Sequence, residues 1–296
     1  MKKVTIKNNN ETWIFGVDRL KVIMDFNHST TYSMLKTIEF CMSKSSPSEY
    51  QEENQIKQFL EFDDCKIDKS YRLIKVNLWD NFSDNIKLLS KTLMLEYLES
   101  CLLNVEIEDS FALLKSYLNQ FSEEVLRGFA INFELACINF RINDLTSKML
   151  LKFINAELLL DEISADDIDL SLEEKSMIFI KMIESIASKT SEKTYIVIFD
   201  HLLLNSRIIC QMRNSMTNLH FLVLANCSLA GVNLDEVFVS ARANLDLGIE
   251  EDVYQKCVVE YGLEPDMQNL ELKLKALFAN SKHPVIDLAN LFYPII

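Results

Sequence analysis

The spacing of apolar residues changes three times along the chain and divides it into four segments. Over residues 1–84, short apolar runs typical of strands alternate with amphipathic helical stretches. Over 85–189, Leu, Phe and Ile recur at three- and four-residue spacing, with one glycine and no proline. Apolar strands return over 190–245, and 246–296 again has helical spacing. We therefore predict an α/β head formed by 1–84 and 190–245, with a mostly parallel sheet. A large helical leg, 85–189, is inserted into it, and the helical extension 246–296 packs on the head or on a neighbouring subunit.

Several elements can be placed more closely. Residues 1–19 carry two β-prone runs around a triple-asparagine turn, which predicts an antiparallel pair. Ser171 and Glu174 have the spacing of a capping box and predict the start of a helix through Ala187. Within the leg, the periodicity predicts four amphipathic helices, at 86–104, 109–120, 122–140 and 144–161.

The stretch from Leu20 to Phe40 predicts a strand, a tight polar turn and a helix, which is the framework of a P-loop. The chemistry of that loop is absent. The motif's glycine positions fall on Asp25, His28 and Thr30, its lysine position on Thr31 and its hydroxyl position on Tyr32. Without glycines or a lysine, the turn cannot wrap a phosphate and neutralise it. We predict no nucleotide, no enzymatic activity and a structural role for this degenerate P-loop, formed by Asn27, His28, Ser29, Thr30 and Thr31.

A second position of interest is Asp200, which follows the four apolar residues Ile196–Phe199. In P-loop enzymes an aspartate at this place holds the metal, and the next strand carries a sensing residue, here Asn226. Asp200 and His201 could instead form a metal and acid–base pair in a hydrolase. Because nothing would hold a triphosphate, we predict that Asp200 is a degenerate, structural Walker B residue that caps the following helix.

Composition narrows the functional class. The 296 residues carry a net charge of −14, which opposes indiscriminate binding of nucleic acid but permits a local basic face. The 7 Cys form no C-x-x-C pair, which predicts free thiols in a reducing cytoplasm. No apolar run is long enough to span a membrane, and no signal peptide is recognisable. We therefore predict a cytoplasmic protein that does not bind membranes.

Two groups of basic residues are candidates for DNA contact. One has seven- and four-residue spacing on one face of a predicted helix: Arg141, Lys148 and Lys152. The other surrounds a predicted strand: Lys69, Arg72 and Lys75. Both groups could bind phosphates without reading sequence, and both could equally be ordinary solvated faces. The lysines at the N-terminus are expected to be solubilising charges: Lys2, Lys3 and Lys7.

The order of these features resembles a known family. A strand–helix joint with a degenerate loop is followed by a helical excursion, an IVIF strand and an FLVLAN strand. This order, with the leg-like segment FELACINFRINDLTSKMLLKFINAEL, resembles the accessory spacer-adaptation protein of type II-A CRISPR systems. The resemblance covers about residues 1–240, and 246–296 would be the extension of a long form. It implies an α/β head related to ABC-type ATPases, without a functioning nucleotide site.

The resemblance also implies a function in antiviral defence. Such a protein is a homotetrameric ring that encircles double-stranded DNA, loads at its ends and acts beside the adaptation integrase and the effector nuclease complex. Calcium ions would brace the legs. In this chain the candidate calcium ligands are Glu134 and Asp144, and backbone or partner oxygens would have to complete the six to eight that calcium takes.

Two other functions remain open. The chain could be an active ABC-like or kinase-like NTPase with an atypical loop. It could also be a non-catalytic scaffold that holds partner proteins through its helical insertion and apolar C-terminus, which its net acidity favours.

Overall fold

The computed structural model describes the elements on which the head is built. The described residues are 1–8, 11–25, 28–43, 58–77, 82, 92–101, 105–124, 131–132, 137–138, 156, 158–160, 163–164, 169–200, 205–224, 231–240, 244–261 and 266–280. Contacts divide the chain into two compact units, Met1–Asp80 with Leu170–Ile296, and Asn81–Asp169. The first unit contains both larger sheets.

The helices within the described ranges are α1 (His28–Met42), α2 (Leu93–Cys101), α3 (Val105–Glu124), α4 (Leu172–Lys189), α5 (Ser206–Arg213), α6 (Glu250–Tyr261) and α7 (Met267–Asn280). The longer strands there are β1 (Lys2–Lys7), β2 (Thr12–Val17), β3 (Leu20–Asp25), β4 (Phe59–Phe62), β6 (Tyr71–Asn77), β11 (Thr194–Asp200), β12 (Leu219–Leu224) and β13 (Val237–Ser240). The two-residue strands are β5 (Cys65–Lys66), β7 (Ile131–Asn132), β8 (Cys137–Ile138), β9 (Leu159–Leu160), β10 (Ile163–Ser164) and β14 (Leu245–Asp246).

Six strands form the main sheet, in the order β14-β13-β3-β12-β11-β6. The five strands from β13 to β6 are parallel, and the edge strand β14 is antiparallel. Successive residues of β11, Tyr195 to Phe199, are all almost fully buried, because both faces of a parallel sheet are covered. The mixed α/β class predicted from the sequence is therefore confirmed.

A smaller antiparallel sheet, β2-β1-β4-β5, packs with α1 against one face of the main sheet. The alternation of β1 puts Val4 and Ile6 in this core, where they meet Trp13 and Phe15 of β2. The antiparallel pair predicted for residues 1–19 is confirmed, with Lys2 opposite Val17 and Lys7 opposite Thr12.

Helix α4 begins at the predicted capping box. The Ser171 hydroxyl accepts a hydrogen bond from the Glu174 amide at 3.2 Å, and the Ser171 amide donates to the Glu174 carboxylate at 2.8 Å. Although its spacing assigned it to the leg, α4 belongs to the α/β unit. Gln211 of α5 donates to the Glu184 carboxylate at 2.8 Å, and Asn218 donates to the Ala187 carbonyl at 3.2 Å. The boundary between the two units therefore falls after residue 169 rather than after 189.

The second unit differs from the predicted row of four helices. Helix α3 is one continuous helix of 20 residues that ends at Glu124. The predicted helix over 122–140 is wrong where β7 and β8 pair, with Ile131 opposite Ile138. Likewise, the predicted helix over 144–161 is wrong at Leu159–Leu160, which form β9, where Leu160 pairs with Ile163. Apolar residues at three- and four-residue spacing do not distinguish a helix from short paired strands.

Candidate functional site

The joint between β3 and α1 lies at the carboxyl edge of the parallel sheet, where ligands bind in open α/β folds. Strand β3 has β12 and β13 as its neighbours, so its end is central. Only two residues separate Asp25, which ends β3, from His28, which begins α1. The lysine position of a P-loop, Thr31, is therefore already the fourth residue of the helix. A two-residue connection is too short to surround a phosphate with backbone amides.

The described side chains of α1 complete this picture. Thr31 is buried with 6% of its surface exposed, whereas Tyr32, at the hydroxyl position, is 62% exposed. Thr30 is half-buried. Asn27 and the side chains of Asp25, His28 and Ser29 lie outside the described part of the structure. The first turn of the helix, His28 to Thr31, contains no lysine or arginine that could meet the charge of a phosphate.

Asp200 ends β11, as predicted, and its register partner on β6 is Asn77. Strand β12 lies between β11 and β3, so two strand spacings of about 4.8 Å separate the ends of β3 and β11. The side chain of Asp200 and the residues His201 and Asn226 lie outside the described part of the structure. The predicted cap is wrong for the next described helix, because α5 is capped by Asn205, whose side chain accepts a hydrogen bond from the Ile208 amide at 2.9 Å. The structural Walker B role of Asp200 stays a prediction.

The basic group around β6 is not a single row. Arg72 and Lys75 are both exposed, but their spacing of three puts them on opposite faces of the strand. Lys75 forms an ion pair with Glu39 of α1, and Lys36 pairs with the same carboxylate at 2.8 Å. Burial raises the pKa of Glu39, but hydrogen bonds from Lys36 and Lys75 outweigh it and hold this pKa below its usual value. Lys69 is exposed, and within the described residues it makes no ion pair.

The remaining predicted site residues lie outside the described residues: Arg141, Lys148, Lys152, Glu134 and Asp144. Their assignments to DNA and to calcium stay predictions. Among the ranges that the structure describes, no group of three or more His, Cys, Asp or Glu side chains could hold a metal ion. No helix there has the length and apolarity to cross a membrane.

In the structure, N-terminal lysines that were expected to be only solubilising charges lie together on one surface. Lys3 and Lys7 share the outer face of the small sheet, because Val4 and Ile6 occupy the inner face. Lys66 of β5 joins them, since its register partner Glu61 lies opposite Thr5. Lys3 contacts Asp64 at 3.3 Å. We call Lys3, Lys7 and Lys66 the outer lysines. The alternation of lysine and apolar residues in β1 was the available signal.

A buried ion pair was not foreseen either. Lys21 of β3 and Asp246 of β14 are 2.6 Å apart, and both side chains are fully buried. Lys21 also donates to the Asp235 carbonyl at 2.8 Å, while the Asp246 carboxylate accepts from the amides of Gly16 and Gly248 at 2.7 and 2.9 Å. Burial lowers the pKa of Lys21, although Asp246 opposes this change. Four chain segments therefore converge on this pair, which has a structural role.

Comparisons with known proteins support the fold. No protein-family model and no curated protein matches the sequence. Among solved structures, Stu0660 of Streptococcus thermophilus matches with a TM-score of 0.73 at 15% identity, covering 99% of this chain and 94% of that chain. The SmcHead bound to the C-winged helix domain of ScpA matches with a TM-score of 0.42 at 13% identity, covering 83% of this chain and 98% of that one. The similarity to Stu0660 shows that both chains share a fold over nearly their whole length.

Proposed function

We propose that this chain is a non-enzymatic, cytoplasmic DNA-binding protein of CRISPR spacer acquisition. It binds double-stranded DNA ends without reading their sequence and acts as a homotetrameric ring beside the integrase and the effector nuclease complex. The observation that carries the proposal is the β3–α1 joint at the carboxyl edge of the parallel sheet, which we interpret as a degenerate P-loop. There, two residues replace a phosphate-wrapping loop and Thr31 replaces the lysine. The full-length similarity to Stu0660 supports the fold on which this resemblance depends.

DNA contact has to be local, because the chain as a whole repels phosphate. We assign it to Lys69 and Arg72 near β6 and to the basic row of the second unit, Arg141, Lys148 and Lys152. The outer lysines are a further candidate surface of the head. Lys75 and Lys3 are the weaker candidates, since they already pair with Glu39 and Asp64.

The exposed apolar residues of α3 support assembly into oligomers. Leu113, Tyr117 and Phe121 follow one another at four-residue spacing and are 60%, 66% and 48% exposed. Leu114 beside them is 40% exposed. A row of large apolar side chains on one helix face is typical of an interaction surface.

The decisive experiment compares linear duplex with covalently closed circles of the same sequence in a gel-shift assay. A ring that loads at ends binds the linear form and not the circle. Affinity should fall steeply with salt, and removing one phosphate-contacting lysine should reduce the slope of log K against log salt by about 0.9. Equal binding of circle and linear duplex would refute loading at ends.

Native mass spectrometry with and without calcium tests assembly and cofactor together. We expect a tetramer, strengthened by calcium if Glu134 and Asp144 bind it as proposed. A monomer under both conditions would instead favour the scaffold function, which the exposed row on α3 also fits.

A thermal-shift measurement with ATP and magnesium tests the absence of nucleotide binding. Saturating nucleotide that binds the native state raises its stability by RT ln(1 + [L]/Kd). We expect no shift at millimolar nucleotide. A saturable shift would support an NTPase with an atypical loop.

A further inference from the structure

A cavity of about 630 Å³ lies between α7 and the segments 231–235 and 247–253. Its floor is apolar and buried, with Leu247, Val253, Leu274 and Phe278 each exposed by 7% or less. Glu250, Glu271 and Ala279 at its edge are exposed, so the cavity is a groove with an open rim. At about 30 Å³ per water, its volume corresponds to roughly twenty water molecules.

The groove is long rather than compact. Its lining residues on α7 run from Met267 to Ala279 at three- and four-residue spacing, and they include Leu270, Leu274 and Phe278. At 1.5 Å per residue this helix face is about 18 Å long. An apolar groove of this length matches a segment that presents several side chains in a row more closely than it matches a small compact ligand.

The rim of the groove is acidic. Among its described lining residues, Asp235, Glu250 and Glu271 carry negative charge, and Lys275 is the one cation. Lys275 is already paired with Glu271 at 2.5 Å. Within the described residues, the carboxylates of Asp235 and Glu250 have no hydrogen bond or ion pair. The rim therefore carries net negative charge above an apolar floor, although Arg213 and Lys21 lie close enough to Asp235 to interact with its charge.

We propose that this groove binds a basic amphipathic segment of a partner protein. Apolar side chains of the segment would enter the floor, and lysine or arginine side chains beside them would pair with Asp235 and Glu250. Charge complementarity selects such a partner over an acidic one and over nucleic acid, whose phosphates the rim repels. This inference does not depend on the proposed DNA-binding function.

The full-length protein is titrated against a fluorescein-labelled helical peptide of about 14 residues, built from leucine and lysine with one apolar face. A peptide with glutamate in place of lysine and a scrambled peptide serve as controls. We expect saturable anisotropy for the basic amphipathic peptide, and weakening of at least about tenfold when its lysines become glutamates. Bound peptide should slow amide exchange in α7 and in 247–253.

Matched variants of the protein locate the site. Leu270→Lys alters the groove, whereas Leu272→Lys makes the same change on the same helix at a residue that is 68% exposed and outside the lining. Glu250→Lys alters the rim, whereas Glu251→Lys changes the neighbouring exposed carboxylate of the same helix turn. We expect roughly tenfold weaker binding for Leu270→Lys, roughly threefold for Glu250→Lys, and less than about twofold for each control.

The proposal is overturned if binding is not saturable, or if the control variants weaken it as much as the groove variants. It is also overturned if a synthetic peptide of residues 281–296 binds at α7 more tightly than the basic peptide, because the groove then belongs to the chain's own C-terminal segment. If amide exchange in α7 slows with rising protein concentration in the absence of peptide, a second copy of the chain occupies the groove. That result would likewise overturn the proposal.

Discussion

Replacing Asp246 by asparagine should destabilise the α/β unit more than most single changes, because it leaves Lys21 as a buried cation without its counter-ion. Both side chains are fully buried and 2.6 Å apart. Breaking a buried ion pair by removing one partner costs about 3–5 kcal/mol. The asparagine amide would also face the Gly16 amide, which now donates to Asp246 at 2.7 Å. We expect a loss of about 4 kcal/mol, out of a total of about 5–15 kcal/mol for a folded domain.

Urea unfolding followed by tryptophan fluorescence measures this loss, since Trp13 in β2 is fully buried. With a slope of about 2 kcal/mol per M, the midpoint of Asp246→Asn should fall by roughly 2 M. Lys3→Met is the matched control, because it removes a lysine whose ion pair with Asp64 is exposed. We expect a change of about 0–1 kcal/mol there.

A double variant separates loss of the charge pair from loss of packing. Lys21→Met in the Asp246→Asn background removes the unpaired buried cation, so the double variant should be more stable than Asp246→Asn alone. The remaining cost is that of backbone groups near Gly16, Gly248 and Asp235 that lose hydrogen-bond partners, each about 1–3 kcal/mol at most. If the two single losses simply add, the charges are not coupled and the argument fails.

The pH dependence gives an independent check. Burial lowers the pKa of Lys21 in the folded state, and removing Asp246 lowers this pKa further. The unfolded state then binds more protons than the folded state below the ordinary lysine pKa, so stability rises with pH. The deficit of Asp246→Asn should therefore shrink as the pH is raised from 7 towards 10. A deficit that stays constant over this range would mean that removing Asp246 does not lower the pKa of Lys21, and would contradict this argument.

Three further changes test other parts of the unit. Gly248→Ala would put a Cβ 2.8 Å from the Asp235 Cα, so we expect a loss of about 1–3 kcal/mol and a lower Tm by calorimetry. Ser171→Ala removes the side-chain cap of α4, and we expect urea titration to show a loss of about 1 kcal/mol. Burial lowers the pKa of His220 from 6.5 to about 4, so between these values the unfolded state binds an extra proton and stability is lost as the pH is lowered. Between pH 6.5 and 5, His220→Leu should flatten the slope of unfolding free energy against pH by up to about 1.4 kcal/mol per pH unit, and an unchanged slope would contradict this assignment.

The strand–helix joint could be predicted from the sequence because a short apolar run gives way to a polar turn and then to helical spacing at one place. Strand β3 begins at the predicted Leu20, helix α1 ends at Met42, two residues beyond the predicted Phe40, and Thr31 stands where the motif has its lysine. The cap at Ser171 was equally local. These features depend on neighbours within a few residues.

Features that depend on tertiary contacts could not be predicted. The spacing of α4 is that of any amphipathic helix, and only its contacts, such as Glu184 with Gln211, assign it to the α/β unit. Arg72 and Lys75 are neighbours along the sequence, yet in the strand they lie on opposite faces. Lys21 gave a local signal, a lysine within an apolar run, but its partner lies 225 residues away.

That separation has a consequence for synthesis of the protein. At about 5–20 residues per second, the ribosome adds Asp246 roughly 11–45 s after Lys21. Strand β3 reaches the cytosol long before β12 and β13, the two strands that flank it. Pairing over such distances makes folding slow and leaves apolar edges open to aggregation. Until Asp246 has been added, Lys21 has no counter-ion, so the central strand β3 cannot reach its native buried environment before nearly the whole α/β unit has been made.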